Sequence, residues 1–278
     1  MKGAPQGRSQ EMQRTMIDAE EIAAEVERYP LTGRFLMGRL RHAIREQERA
    51  LLESLVTETA YVEAGTTVLR RGELVSRSTI LIDGYMMRTG TDGSRRFILG
   101  LQVPGDFVDL HGFALRRLDH DLVSAGPVKV GYVPHDRLTE VVANEPHLAR
   151  ILWFATLLDA AIHREWIMKL EQLTAARRVA HVFAELWYRL DQVGLGRTDS
   201  VRTPLIQADL ADMCGTTAIH MNRALAQLRK EGIGELRRGT LYVQDRQQLE
   251  EFATFDPSYL YGRGQLAIEG SLEQPGGK

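Results

Sequence analysis

Basic side chains between residues 223 and 238 have the chemistry needed to bind the phosphates of a nucleic acid. Arg223, Arg229 and Lys230 come first along the chain. Two arginines further on, Arg237 and Arg238, supply cations of the kind that bind phosphate.

The surrounding hydrophobic pattern predicts two short helices. The first covers 206–213, with Ile206 and Met213 on its buried face, and the second runs from about 217 to 230. A Cys-Gly-Thr break separates them, and the hydroxyl of Thr217 can cap the second helix. Two helices around a turn with glycine are the pattern of a helix-turn-helix, although an ordinary αα-corner in a helical core shows the same pattern.

The charge distribution favours the first interpretation. A net charge of −2 excludes a wholly basic nucleic-acid binder, yet the segment 223–238 holds five basic and two acidic residues. After the two helices, residues 235–238 and 240–243 predict a β-hairpin across Arg238-Gly239, which resembles the wing of a winged helix. A helix to about Phe255 and a polar, glycine-rich tail follow.

The segment from Tyr61 to Pro134 has a different period. Strand-length runs (STILI, YMMRT, RRFILGL, VKVGYV) alternate with turn sequences, among which Asp92-Gly93 is typical of a two-residue hairpin. Their regular spacing predicts a small antiparallel barrel or sandwich.

A long helix is predicted from Pro146 to Leu173, followed by another over 175–190 and a glycine-rich linker. Trp153 and Leu157 give the long helix a second apolar edge. This edge predicts self-association through the helix, the alternative being a core helix buried within one chain.

Composition and the N-terminus set further limits. With 44% hydrophobic and 26% charged residues the chain is typical of globular proteins. We expect a cytoplasmic protein without membrane contact, because no apolar run reaches roughly eighteen residues and the N-terminus lacks the apolar stretch of a secretory leader. Residues 1–34 are predicted to form a flexible arm that is acidic and weakly helical over 18–28, and residues 35–55 are predicted to form a helix. Cys214 is the single cysteine, which excludes an internal disulfide and a four-cysteine metal site within one chain.

The order of these elements resembles the Crp–Fnr superfamily of bacterial transcription regulators over roughly residues 35–245. The motifs that carry the resemblance are Ile82-Asp-Gly84, Asp92-Gly93 and Val103-Pro-Gly-Asp-Phe107 in the β-rich half, and Asp209, Leu210, Ala211, Gly215, Asn222, Arg223 and Leu225 in the helix-turn-helix. The resemblance implies an α+β fold: an N-terminal antiparallel β-barrel of the jelly-roll, cyclic-nucleotide-binding type, a long dimerisation helix and a C-terminal winged helix-turn-helix. The corresponding domain boundaries are 1–34 (arm), 35–145 (sensory β-barrel), 146–173 (dimerisation helix), 174–245 (DNA-binding domain) and 246–278 (C-terminal helix and tail).

By this resemblance the second helix of the pair reads bases. The candidate DNA-contacting residues are Thr217, Ala218, Ile219, His220, Asn222, Arg223, Arg237 and Arg238. Arg223 matches the family arginine that contacts guanine, and Asn222 suits an adenine edge or a phosphate. Ile219 stands where many members have a glutamate, so we expect a contact with a thymine methyl and an altered half-site. Thr217 and His220 are better placed for phosphate or for capping.

The sensory half departs further from the family. The Gly-Glu pair that holds the ribose in cyclic-nucleotide-binding members falls on Asp109 and Leu110, and the Arg-Ser pair falls near the acidic segment 119–121, which repels an anion. No cofactor is expected. A haem would need an axial ligand such as His111, His120 or His135, which are more simply loop or strand-end histidines. Cys214 is either a redox-sensitive thiol beside the DNA or a small buried turn residue.

The sequence thus predicts a homodimeric regulator that binds double-stranded DNA at a near-palindromic operator and contacts RNA polymerase. The alternative is a ligand-switched regulator whose barrel binds an unidentified small molecule. An enzyme is not predicted, since no nucleophile motif, metal-ligand spacing or glycine-rich phosphate loop stands out.

Overall fold

A computed structural model describes residues 19–93 and 95–262 and places two antiparallel sheets in the sensory half. Strands β1, β7 and β3 form one sheet, and β2, β6, β4 and β5 form the other. The strands are β1 (Glu58–Val62), β2 (Thr67–Leu69), β3 (Arg77–Asp83), β4 (Met86–Asp92), β5 (Arg95–Gln102), β6 (Asp121–Ser124) and β7 (Val128–Pro134).

The predicted strand runs and hairpin are confirmed. Asp92 pairs with Arg95 across the β4–β5 turn, where Gly93 has a φ of 58°. Side chains from the two sheets meet in a common core that includes Leu81, Met86 and Val130, all fully buried. In the part of the chain that the structure describes, hydrogen bonds do not join the sheets into one closed cylinder, so the domain is a two-sheet jelly-roll.

The N-terminal arm predicted for 1–34 is wrong for residues 19–34, while 1–18 lie outside the described residues. The helicity expected for 18–28 is confirmed as helix α1 (Ala19–Arg28), but this helix is docked, with Ile22 packed against Met37 and Val193. The Glu53 carboxylate accepts hydrogen bonds of 2.9 Å from the backbone N–H of residues 31 and 32. These are contacts between residues distant in the sequence, so the local pattern of polar residues did not indicate them.

The single helix predicted for 35–55 is also wrong. Leu36 and Gly38 have φ values of 52° and 76°, a left-handed conformation that interrupts any helix. After a 3₁₀ turn at Arg41–Ala43, the true helix α2 begins only at Glu46 and ends at Leu55. Two further helices of this half are α3 (Gly112–Leu115) and α4 (His135–Asn144).

The long helix is confirmed as α5 (Pro146–Gln172), followed by α6 (Ala175–Gln192). One face of α5 is buried against the sensory half through Leu148 and Ile162, whereas Trp153 is 65% exposed. Among the described helices none is both long and apolar enough to cross a membrane.

The C-terminal half contains the predicted winged helix-turn-helix. The elements are β8 (Ser200–Arg202), α7 (Gln207–Met213), α8 (Ala218–Lys230), β9 (Glu235–Arg237), β10 (Thr240–Tyr242) and α9 (Arg246–Ala253). Strands β8, β10 and β9 form a small antiparallel sheet in that order. Leu249 and Ala253 of α9 belong to the same buried cluster as Val179 and Leu228, so α9 extends this domain past the predicted boundary at 245.

The segment after α9, expected to be a polar tail, is packed as far as residue 262. A 3₁₀ turn at Pro257–Leu260 buries Leu260 completely, and the Leu260 carbonyl accepts a 2.9 Å hydrogen bond from the Arg39 guanidinium. The Tyr259 hydroxyl donates to Glu185 of α6 at 2.6 Å. Residues 263–278 of that predicted tail lie outside the described residues.

Ion pairs join the sensory half directly to the C-terminal half. Arg96 on β5 contacts two carboxylates of α7, Asp209 at 2.6 Å and Asp212 at 2.8 Å. Arg189 on α6 contacts Asp106 of the sensory half at 2.6 Å. The first helix of the helix-turn-helix is therefore held against a strand of the sensory domain.

Candidate DNA-binding surface and sensory cavity

Helix α8 presents its candidate base-reading side chains to solvent because its apolar residues face the other way. Met221, Ala224 and Leu228 recur at three- and four-residue spacing and are buried. The opposite face begins in the first turn and is exposed, with Ile219 at 68%. The predicted residues Ala218, Ile219, Asn222 and Arg223 all lie on it.

Thr217 and His220 shape the beginning of α8. The Thr217 hydroxyl accepts a hydrogen bond from the His220 backbone N–H at 3.3 Å, and it also lies 2.8 Å from the His220 Nδ1 atom. Thr217 is thus the N-cap, one of the two roles that the sequence left open. The remaining free N–H groups and the helix dipole favour a phosphate at this end.

In helix α7, one predicted burial is wrong. Ile206 is 63% exposed because it is the N-cap residue rather than part of the helix. Its backbone N–H donates to the Asp209 carboxylate at 3.0 Å, and the buried face belongs to Leu210 and Met213. Asp209 therefore both caps α7 and binds Arg96 of the sensory domain.

The wing turns tightly at Arg238-Gly239, as predicted. Both residues have positive φ values, 49° and 78°, which is the backbone of the two-residue turn that suits a twisted hairpin. A Cβ at Gly239 would meet the Thr203 carbonyl oxygen, so glycine is required there.

The wing also forms a basic cleft, and the sequence predicted only two of its arginines. Arg237 and Arg238 line a cleft of about 640 Å³ together with Arg197 and Arg202. Arg202 is brought there by the pairing of β8 with β10, where it lies opposite Thr240. A three-residue strand after a glycine-rich linker is too short to be predicted from its pattern, so Arg197 and Arg202 were missed. Arg237 is also paired with Glu235 at 2.5 Å, and the Arg237 side chain is exposed.

Cys214 lies in the turn between α7 and α8, with 1% of its surface exposed. Burial raises the pKa of its thiol to about 12. The structure thus places it as the small buried turn residue, not as an accessible thiol beside DNA.

We expect native Cys214 to resist alkylation. At pH 8 a thiol with a pKa of about 12 is ionised more than about a thousand-fold less than a free cysteine, and its burial hinders access as well. Iodoacetamide labelling followed by mass spectrometry should show slow modification of the folded protein and rapid modification in urea. Fast labelling of the folded protein, with a loss of DNA affinity, would restore the redox interpretation.

A cavity of about 800 Å³ lies where the sensory domain, α5 and the helix-turn-helix meet. It is lined by side chains such as His111 and His120 from the first, Ile167 from the second and Met213 from the third. Burial, with a contribution from the Arg88 charge, lowers the pKa of His111 to about 4 and lowers that of His120.

Arg88 of β4 lines this cavity and connects β4 to α5. Its guanidinium donates to both carboxylate oxygens of Asp159, at 2.7 and 2.5 Å, and to the Val108 carbonyl at 2.6 and 3.1 Å. The Arg88 side chain is almost fully buried, so its charge is satisfied within the chain rather than offered to a ligand anion.

The positions that match the nucleotide-binding pair have other roles here. Leu110 is 7% exposed and packs in the core beside Phe35. Asp109 is buried, and its carboxyl group accepts hydrogen bonds from the Thr79 backbone N–H at 2.5 Å and the Thr79 hydroxyl at 3.0 Å. Asp119, in the segment that matches the family's Arg-Ser pair, is exposed and acidic.

Asp109 should make the protein less stable as the pH rises. Burial raises the pKa of its carboxyl from 3.8 to about 7. The folded state therefore prefers the protonated form. The associated stability is fully present below about pH 4 and is lost as the pH rises through about 7, by an amount on the order of 4 kcal/mol.

Asp109→Asn should remove this component, because an amide oxygen still accepts from Thr79 but does not ionise. Urea unfolding of both proteins at several pH values from 4 to 8 measures it: the difference between their free energies of unfolding should shift in favour of the variant as the pH rises. A difference that stays constant over this range would contradict the raised pKa.

A winged helix-turn-helix whose reading face is exposed, attached to a jelly-roll and a long helix, defines a DNA-binding transcription regulator. A family model for the Crp-like helix-turn-helix domain matches residues 177–252.

Known proteins point the same way. The chain is 28% identical to the transcriptional activator protein FnrL of Cereibacter sphaeroides over 193 residues, 67% of this chain and 76% of that protein. It is 24% identical to the nitrogen fixation regulation protein FixK of Bradyrhizobium diazoefficiens, over 69% of this chain and 81% of that protein.

Solved structures share the fold. FixK2 from Bradyrhizobium japonicum superposes with a TM-score of 0.65 at 20% identity, covering 72% of this chain and 98% of that one. A Crp/Fnr-family transcriptional regulator from Thermus thermophilus gives 0.58 at 19% identity, covering 71% and 99%. The chain thus contains a Crp-like helix-turn-helix domain and shares its fold with regulators of the Crp/Fnr family.

Proposed function

We propose that the protein acts in the cytoplasm as a homodimer that reads a near-palindromic operator. The observation that carries the proposal is the exposed first turns of α8, where Asn222 and Arg223 point away from the core. The exposed Trp153 and Leu157 of α5 supply an apolar stripe for a second copy. Two copies related by a two-fold axis would present two reading helices to half-sites about 10 bp apart.

Specificity would come from three adjacent contacts. Arg223 pairs with a guanine, Asn222 with an adenine edge or a phosphate, and Ile219 packs on a thymine methyl. The Ile219 side chain has no hydrogen-bonding group, so the base pair that a glutamate would select is read differently here. The wing cleft, with Arg197, Arg202, Arg237 and Arg238, would hold phosphates without reading sequence.

We further propose that the protein activates transcription by contacting RNA polymerase while bound to DNA. Support comes from the relatives, since FnrL is named a transcriptional activator and its match extends over 67% of this chain. Cyclic-nucleotide binding is not part of the proposal, because Asp109, Leu110 and Asp119 supply no anion-binding pair.

A ligand-switched regulator is a second candidate, and the cavity at the junction favours it. A volume of about 800 Å³ suits a small molecule, and its walls come from the sensory domain, α5 and the helix-turn-helix. A molecule bound there would contact the elements that set the position of α8.

Selection of bound fragments from random DNA, followed by footprinting, tests the main proposal. We expect a two-fold symmetric sequence, protected over two adjacent turns by a dimer. Absence of any enriched sequence would contradict it. A thermal-shift panel that includes cyclic AMP tests the sensory half, where a clear shift with cyclic AMP would overturn the interpretation of Asp109 and Asp119.

A further inference from the structure

A cluster of two histidines and an aspartate lies in the wall of the cavity, outside the DNA-binding surface. His111, Asp119 and His120 each offer one ligating atom, and these atoms all lie within 4.8 Å of one another. His111 directly precedes the α3 turn, and the other two precede β6, so the jelly-roll connection brings together residues that are separated in the chain.

His120 is held in a way that leaves one nitrogen available. The Asp119 carboxylate lies 2.6 Å from His120 Nδ1, so this nitrogen already has a partner. His120 is 6% exposed, and its other nitrogen, Nε2, is buried without a hydrogen-bond partner among the described residues. A buried polar atom usually has a partner, so this nitrogen points to a ligand.

The position of the second imidazole shows which kind of ligand fits. The His111 and His120 ring centroids are 5.4 Å apart, with the ring planes tilted by 41°. Two imidazoles so close suit nitrogens that share one ion. A porphyrin held between two axial histidines would separate the rings further and keep them on opposite faces, so this pair does not suit a doubly ligated haem.

We infer that His111, His120 and Asp119 form a binding site for one divalent transition-metal ion. Two imidazoles and a carboxylate match zinc, cobalt and related first-row ions, whereas calcium and magnesium prefer oxygen ligands alone. Ligating atoms around such an ion lie about 3.3 Å apart, so binding requires a contraction. Asp119 can supply it by leaving His120 Nδ1 and turning toward the ion, since its side chain is 86% exposed.

The surroundings are compatible with a cation. Burial lowers the pKa of both histidines, and the Arg88 charge adds to this effect. Arg88 is itself paired with Asp159 and hydrogen-bonded to the Val108 carbonyl. Three protein ligands leave a fourth position facing the cavity, which water or a small ligand would complete.

Metal binding to the full-length protein, without DNA, tests the inference. We expect equilibrium dialysis against Zn²⁺ to show one ion per chain, and Co²⁺ to give the visible absorption of a site with nitrogen ligands. His111→Gln, His120→Gln and Asp119→Asn each remove a ligand, so each should weaken binding by more than the roughly 10- to 100-fold that loss of an outer-shell partner costs. The exposed Asp119 keeps the test valid if a buried-histidine variant folds poorly.

His220→Gln is the matched control, because this exposed histidine belongs to α8 and not to the cavity. It should leave metal affinity unchanged. Sub-stoichiometric binding, equal affinity in wild type and Asp119→Asn, or loss of the ion in His220→Gln would each overturn the site. Since no DNA is present, failure here is distinct from failure of the proposed operator binding.

Discussion

Arg223→Ala is expected to abolish the preference of the protein for its operator over random DNA. A bidentate arginine–guanine pair contributes on the order of 1–3 kcal/mol of discrimination, and a dimer has two of them. The expected loss of specificity is therefore roughly 30- to 10⁴-fold. Competition gel shifts with the selected operator and a scrambled duplex measure it directly.

Two matched variants distinguish the loss of base recognition from the loss of positive charge. Arg223→Lys keeps the cation but loses the planar fork, so it should bind both duplexes while discriminating poorly between them. Arg237→Ala removes a wing cation and should weaken binding to both duplexes alike, with a smaller salt dependence. An operator footprint that Arg223→Ala leaves unchanged would contradict the assignment of α8 as the reading helix.

Much of the fold could be predicted because the local periodicity of hydrophobic residues indicates it. The two-residue period of the strands, the three- and four-residue period of α5, and turn signals such as Asp92-Gly93 and Arg238-Gly239 each depend on neighbouring residues. The residues of α8 expected to read bases came from the family resemblance, and burial of Met221 and Leu228 leaves Arg223 exposed.

The segments at either end could not be predicted, because long-range polar contacts order them. Residues 31 and 32 are held by the Glu53 carboxylate, and Tyr259 by Glu185 of α6. A polar stretch held in this way has the same composition as a free one. The local sequence therefore indicated flexibility where tertiary hydrogen bonds give order.

The side-chain contacts of the sensory half could likewise be predicted only in part. The sequence indicated that Asp109 and Leu110 do not resemble an anion site, but residue types alone did not place His111 beside His120 or Arg88 on Asp159. Those contacts depend on the sheet register and on the docking of α5. Nor did the sequence show that Arg96 joins the sensory domain to Asp209 and Asp212 of α7.

Leu157→Glu is expected to convert the protein to a monomer and to lower its operator affinity more than about 100-fold. Leu157 is 50% exposed and Trp153 is 65% exposed, one turn apart on α5. Burial of each such side chain contributes about 1.5–3 kcal/mol, and a symmetric interface buries two copies of each. The variant would instead bring two unpaired carboxylates together at the two-fold axis, which costs more than losing the apolar contact.

DNA affinity should fall with dimerisation because a monomer contacts a single half-site and loses the contribution of the second. Analytical ultracentrifugation gives the oligomeric state, and titration of a full operator and of a single half-site gives the affinity. Val142→Glu provides the control, since Val142 is 55% exposed on α4 and should leave both properties unchanged. If Leu157→Glu still sediments as a dimer with wild-type affinity, the apolar stripe of α5 is not the interface, and the two reading helices must be paired through another surface.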